Sequence, residues 1–466
     1  MHRSRVFIII LGVSILTSCT TTRANPSFGV LVETEKELQT MHHFGASAAW
    51  WAQEVGSWPQ PQLNEIMDLL YDQTVGIALQ VIRYNLGGGK ENSTISDPLR
   101  KAHSLETSPG NFNSENDAFA IRVIDEAVSR NAKVIVFANS PPARLTVTQA
   151  PTGRGYLTNL QEGKEDAFAE YLVNASDYLY SEKKWPILDI SPMNEPQWDW
   201  SVEKNQEGCF YSPEQAKVVT EALASLLEAS DFRFGISVID SGEMKLRSNS
   251  PYLEALFKNS ELSDSLTHYA VHSYWSTAFE KQRLRQYMDQ NYPSVELWMT
   301  EWTQMKQGRD YGMDSALELS QIIWEDVTYA QVSSWQYWIA LSPYEYHDGL
   351  IYYDSSDTSF TVTKRLWALG NWSKFIKPGA RMLSVTQDAE VSILSSGWKN
   401  LDGSIVCVFT NRTGQAYESS IQFDKSEYES MAVYVTDERH DLVCTYEGNL
   451  KNFEILPMSV TTVMYQ

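Results

Sequence analysis

Between residues 44 and 375, short apolar runs alternate with amphipathic stretches of helical spacing, and this alternation constrains the fold more than any other feature. The runs at Phe44–Ala49, Leu79–Tyr84, Lys133–Asn139, Ile187–Met193, Phe234–Ile239, Tyr269–Tyr274, Glu296–Thr300 and Ser334–Ile339 read as strands. Leu63–Tyr71, Ala118–Arg130, Glu165–Tyr180, Pro213–Ala229 and Ser315–Tyr329 read as helices. In the first of these, Leu63, Ile66, Met67 and Leu70 recur at steps of three and four residues, which places them on one face. Strand–helix units in this order build a parallel sheet covered by helices, and eight of them in this span predict an α/β fold, a (β/α)8 TIM barrel. An open doubly wound sheet is the alternative, weakened because no glycine-rich phosphate turn follows the first strand. Gly87-Gly88-Gly89-Lys90 is not such a turn: Tyr84 and Glu91 stand where a phosphate loop needs Gly and Ser or Thr.

After residue 376 the helical period disappears. Val391–Leu394, Ile405–Phe409, Ala432–Val435 and Val460–Met464 are short strands between turn signals, which predicts an associated C-terminal β-sandwich domain over 376–466. Residues 28–40, through Val30 to Glu33, are expected to add a strand to it, leaving 41–375 as the barrel. At the other end, Arg3 and Arg5 precede an apolar run too short to span a bilayer, which reads as a signal peptide over 1–19. It closes on Leu16-Thr17-Ser18-Cys19, similar to a bacterial lipobox in which Cys19 is lipidated, followed by a polar tether over 20–27. The expected location is therefore the bacterial cell envelope, exported and lipid-anchored, with an N-terminal lipid as the contact to the membrane.

Lys plus Arg number 37 against 59 Asp plus Glu, a formal charge of −22, which leaves no counter-charge for a nucleic acid backbone. The 15 Trp and 24 Tyr residues are more telling, because flat amphipathic rings suit the C–H faces of sugars as well as a core. Apart from Cys19, the cysteines are Cys209, Cys407 and Cys444; an odd number forbids complete pairing, and Cys407 with Cys444 is the pair that the late strands allow. No spacing of a metal site is present, and no cofactor is expected. His268 and His272 share a strand face at a spacing of four, where a ring hydrogen-bonding in a polar cleft is favoured over a metal ligand.

Two carboxylates carry the candidate chemistry. Ile190-Ser191-Pro192-Met193-Asn194-Glu195-Pro196 ends the fourth strand, and Leu297-Trp298-Met299-Thr300-Glu301-Trp302 ends the seventh. Strand C-termini open onto the catalytic face of a barrel, so Glu195 and Glu301 can flank a glycosidic bond. One then protonates the leaving oxygen with a raised pKa, while the other stays ionised at the anomeric carbon.

In these motifs and their surroundings the chain resembles glycoside hydrolase family 30, most closely its endo-β-1,6-galactanase-like branch. The similarity runs from His43-Phe44-Gly45-Ala46-Ser47 to Lys374-Phe375-Ile376-Lys377-Pro378-Gly379. It is most specific in the opening Phe44-Gly45-Ala46-Ser47-Ala48-Ala49-Trp50-Trp51-Ala52 and in the last helix, Leu366-Trp367-Ala368-Leu369-Gly370-Asn371-Trp372. The resemblance implies a retaining glycosidase acting on β-1,6-linked galactan, with a β-1,6-glucanase or β-glucosidase or a xylanase of the same family as alternatives; a non-catalytic glycan-binding lipoprotein is the alternative from a different class, and a monomer is expected. It implies Glu195 as acid/base and Glu301 as nucleophile. Asn194 would hold the sugar 2-hydroxyl, Arg83 would stand beside the nucleophile, and Tyr274, in His272-Ser273-Tyr274-Trp275, would bond to it. Trp338 would form the floor under the reacting sugar, with Trp50 and His272 also contacting substrate. Trp51, Trp198, Trp275 and Trp302 either line the cleft or pack in its wall. The chain departs from the family at Ser140-Pro141-Pro142-Ala143-Arg144-Leu145, where Arg144 replaces an aromatic surface and either pairs with an acid, the favoured reading, or binds a polar or acidic substituent. The acidic Pro343-Tyr344-Glu345-Tyr346-His347-Asp348 stands where glucuronate-requiring xylanases carry basic loops, which argues against that substrate.

Overall fold

The computed structural model describes residues 25–90, 93–258, 262, 265–388, 391–425, 428–449 and 451–466; Cys19 and the rest of residues 1–24 lie outside them. A long first strand, β1 (Ser27–Met41), leads into eight parallel strands: β2 (His43–Ser47), β3 (Val81–Asn85), β4 (Lys133–Phe137), β5 (Ile187–Ser191), β6 (Gly235–Ile236), β7 (His268–His272), β8 (Glu296–Glu301) and β9 (Ser334–Tyr337). Each is followed by a helix: α1 (Gln60–Tyr71), α2 (Ala118–Ser129), α3 (Glu165–Lys183), α4 (Pro213–Ala229), α5 (Leu246–Phe257), α6 (Ala278–Asn291), α7 (Met313–Glu325) and α8 (Lys364–Ser373). The strands lie in the order β6-β5-β4-β3-β2-β9-β8-β7, which is chain order taken around a circle. The two ends of that row meet. Beyond β6, Ser241 N donates to Ala270 O (3.1 Å), and His272 N donates to Ser241 O (2.6 Å). A doubly wound sheet would instead reverse its strand order at a switch point.

The helices α5 and α6 are absent from the helices read above. The buried face of α6 is Lys281, Leu284, Arg285 and Met288: helical spacing, but with charge at two of four positions. Helix α5 carries Pro251 inside it. The fifth parallel strand is also shorter than expected, two residues rather than six.

After the last helix come β10 (Ala380–Gln387), β11 (Ile393–Lys399), β12 (Ile405–Asn411), β13 (Tyr417–Phe423), β14 (Met431–Thr436), β15 (Val443–Gly448), β16 (Asn452–Ile455) and β17 (Ser459–Tyr465). With β1 they form one nine-stranded ladder, β15-β14-β17-β12-β11-β10-β1-β13-β16, rather than two separately bonded sheets. The ladder rolls onto itself. Phe409 on β12 and Phe453 on β16 are five strands apart in the ladder, yet their ring centroids lie 5.6 Å apart. Strand β1 runs antiparallel to β10 and parallel to β13, so the chain's first strand is interior to this sheet. Cys407 and Cys444 are both free. They sit on β12 and β15, three strands apart, a spacing of about 14 Å that no disulfide bridges.

Candidate active site

The C-terminal ends of the parallel strands surround a cleft of about 500 Å³ lined by Trp50, Asn139, Asn194, Glu195, Glu207, Tyr274, Trp275, Glu301, Trp338 and Asp348 among others. Glu301 is the last residue of β8 and Arg83 lies in β3, both buried. Glu301 accepts hydrogen bonds from Arg83 Nη1 (3.2 Å) and from the Tyr274 hydroxyl (3.2 Å) on its other oxygen. Glu195 stands just past β5 with φ at 45°, and its backbone N–H donates to the Asp240 carbonyl (2.9 Å). His272 Nδ1 lies 3.0 Å from Glu195 Oε1 and 3.6 Å from Glu301 Oε1, so the imidazole stands between the two acids. One oxygen of each carboxylate and a ring nitrogen of His272 all fall within 4.8 Å of one another.

Glu195, His272 and Glu301 are therefore the group among the described residues with metal-ligand spacing. The Arg83 guanidinium already neutralises Glu301, and a dication placed there would face that cation at close range. His268 does not join the group. It lies at the opposite end of β7, stacked on Trp298 with centroids 3.6 Å apart.

The two carboxylates differ electrostatically. Burial, reinforced by the charge of Asp240, pushes Glu195 up to about 8. Burial also raises Glu301, where a charged His272 would oppose the rise; Arg83 lowers both acids and Asp240 raises both, and it is the direct contact with Arg83 that Glu301 has and Glu195 lacks. Burial lowers the His272 pKa, which favours a neutral ring.

Around the acids, Trp338 and Trp50 meet edge to face at 5.1 Å, and the Arg100 guanidinium lies 4.2 Å over the Trp50 ring. Asn194 has a side-chain oxygen with no hydrogen-bond partner within the protein. Trp275 lines the cleft and is 57% exposed, whereas Trp51 and Trp302 are buried in the wall. Trp198 is half-buried against Trp275. Arg144 makes a bidentate pair with Glu106, 2.6 and 2.7 Å, and does not line the cleft.

Sequence reasoning missed Asp240, Asn139, Glu207 and Asp348. Asp240 accepts from Arg83 Nη2 (3.2 Å), from the Ser191 hydroxyl and from the Thr300 hydroxyl. It stands just beyond the fifth parallel strand, so the rule that found Glu195 and Glu301 would have found it too. Glu207 and Asp348 are each buried with one unpartnered oxygen, and burial lifts them to about 8 and about 6. They sit on long connections that carry no periodic signal. Gly242 marks how tightly the site is built: a Cβ there would lie 2.1 Å from Trp198 Nε1 and 2.7 Å from Glu195 Oε1.

Residues 28–352 match the family described as O-Glycosyl hydrolase family 30. The chain belongs to glycoside hydrolase family 30. It is a glycosidase, and the paired carboxylates described above stand in its cleft. It is 22% identical over 399 residues to an endo-β-1,6-galactanase of Hypocrea rufa, covering 80% of this chain and 79% of that protein. Among solved structures it is similar to a conserved exported protein from Bacteroides fragilis, with a TM-score of 0.84, 23% identity and coverage of 93% and 99%. It is also similar to an endo-β1,6-glucanase, with a TM-score of 0.75, 17% identity and coverage of 94% of each chain.

Proposed function

We propose that this family 30 enzyme is a retaining O-glycoside hydrolase that cleaves β-1,6-linked galactan, working at the mouth of a (β/α)8 barrel formed by 41–375. The C-terminal β-domain, 376–466 with 28–40, supports that barrel. The observation that carries the reading is the contrast between two adjacent acids: Glu195 is held protonated by burial and Asp240, while Glu301 is paired with Arg83. Oxygens within 4.8 Å suit a double displacement and leave no room for the water that an inverting pair needs between them. Glu301 attacks the anomeric carbon while Glu195 gives its proton to the leaving oxygen, forming an α-linked glycosyl ester. Glu195, now ionised, then takes a proton from water, which displaces Glu301 and restores the β configuration. Asn194 offers its unpartnered amide oxygen to the 2-hydroxyl, Tyr274 and Arg83 hold Glu301, and Trp338, with Trp50 against it, carries the reacting sugar. The preference for galactan rests on the galactanase relative; a glucan differs at one hydroxyl, which one or two hydrogen bonds read.

Two measurements test this reading. Hydrolysis of β-1,6-galacto- and gluco-oligosaccharides, followed by NMR, should release β-anomers first and favour the galacto-series. With a dinitrophenyl glycoside, Glu195→Ala should give a burst and then a slow phase that azide accelerates, yielding the β-azide. Recovery of the α-azide would mean a single direct displacement and would overturn the assignment of the two acids. We also propose export and lipidation at Cys19; Cys19→Ala should release the protein from the membrane fraction with its activity intact.

A further inference from the structure

We propose that Trp275, backed by Trp198, is the platform on which the leaving sugar of a neutral glycan stacks. The inference rests on the glycosidase reading above and adds the side of the cleft that receives the departing chain. The strand order supplies the first argument. Trp338 extends β9 and Trp50 follows β2, so the floor assigned to the reacting sugar lies on that side of the strand circle. Trp275 follows β7 and Trp198 follows Glu195 beyond β5, on the other side. A substrate lying over Trp338 with its anomeric carbon between the two acids must extend its leaving group toward Trp275.

Proximity to the acid is the second argument. Trp198 Nε1 and Glu195 Oε1 both crowd the position of a Cβ on Gly242, so this indole borders the carboxyl that protonates the leaving oxygen. Trp198 meets Trp275 edge to face, with centroids 5.9 Å apart and planes at 86°, which fixes the orientation of the outer ring.

The third argument is that Trp275 bears costs which packing does not repay. A tryptophan side chain 57% exposed on the cleft wall gains little from burial. Its backbone sits at φ 48°, a left-handed conformation that costs a bulky residue stability, and such strain persists where a function requires it. A flat apolar face held open to water beside a general acid suits the C–H face of a pyranose.

The test compares Trp275→Ala and Trp275→Phe with the wild type on two substrates that fill the reacting-sugar side alike. One is β-1,6-galactotetraose; the other is β-galactobiosyl fluoride, whose leaving fluoride occupies no sugar site. For Trp275→Ala, kcat/KM on the tetraose should fall about two- to tenfold while the fluoride stays within about twofold. Trp275→Phe should recover most of the loss. Transfer of the glycosyl group to added methyl β-galactoside should fall in parallel with tetraose cleavage. An equal fall on both substrates would make Trp275 a structural residue, and an unchanged tetraose rate would place the leaving sugar elsewhere; either overturns the proposal. If the wild type cleaves only the gluco-series, the galactan reading fails alone and the same comparison is read there. Wild-type inactivity on both series overturns both.

Discussion

Asp240 does not line the cleft, yet it touches Arg83, which holds Glu301, and the backbone of Glu195. Its side chain accepts from Arg83, Ser191 and Thr300, and its carbonyl holds the Glu195 backbone. It is a positioning residue, and its charge has a measurable consequence. The groups facing Glu195 are Asp240, Arg83, His272 and Glu301, and of these Asp240 adds most to the upward pull of burial. The first chemical step needs Glu195 protonated, so kcat/KM should fall as pH rises through about 8. Asp240→Asn removes a negative neighbour of the ionised form, which lowers the Glu195 pKa and moves the alkaline limb to lower pH. A purely structural role would lower the whole profile without shifting that limb. Strain belongs to this scale as well. Trp50, Glu195, Asp240 and Trp275 all take φ between 45° and 71°, and the first, second and fourth line the cleft. Four non-glycine residues in a left-handed conformation around one cavity are a cost borne where chemistry is done.

Among the elements, α6 shows how a helix can be buried through charge. Lys281 Nζ, wholly buried, lies 2.9 Å from Glu325 at the end of α7 and 3.0 Å from Asp326 just beyond it. Asp326 also accepts from Ser273 (2.8 Å), in the segment that carries His272 and Tyr274, and from Trp335 Nε1 (2.9 Å). The cluster thus pins two helices beneath the catalytic rim. Lys281→Met would leave buried carboxylates without a counter-charge, and should cost about 3–5 kcal/mol of stability in urea unfolding. The apolar pattern of α6 was too weak to read, but Thr277 and Glu280 form a capping box, and that T-x-x-E signal stood in the sequence. Strands β2 to β9 were legible because buried parallel strands are nearly continuous apolar runs. Strands β10, β13, β15 and β16 were not, since exposed residues interrupt their apolar ones.

At the scale of the molecule, the rolled sheet encloses an apolar cluster of its own around Phe28, Phe409 and Phe453, while its other face joins the core of the helices: Trp372 of α8 clusters with Trp398, Val406, Val408 and Val460 of the sheet. Polar contacts cross the same seam, including Trp324 Nε1 to Ser395 O (2.7 Å) and Asn371 Nδ2 to Thr462 Oγ1 (2.9 Å). The seam is continuous with the interior rather than with solvent, so the full chain should unfold in a single calorimetric transition. A chain ending at residue 375 should be insoluble, because it would expose Trp372 and its neighbours to water. Two resolved transitions, or a soluble, folded 25–375 fragment, would show that the halves are independent.

The sequence by itself determined the α/β class, the strand ends that carry Glu195 and Glu301, and the family. Each is written in local pattern: apolar runs, helical spacing, and short motifs whose residues are adjacent in the chain. Tertiary structure alone decided how those residues act on one another. It set His272 between two acids and joined Arg83 to Glu301 across 218 positions of chain. It paired Arg144 with Glu106, left Cys407 and Cys444 apart, and opened Trp275 to the cleft while burying Trp302. Contacts of this kind depend on which loops meet at the strand ends, and no periodicity along the chain encodes a meeting between distant segments.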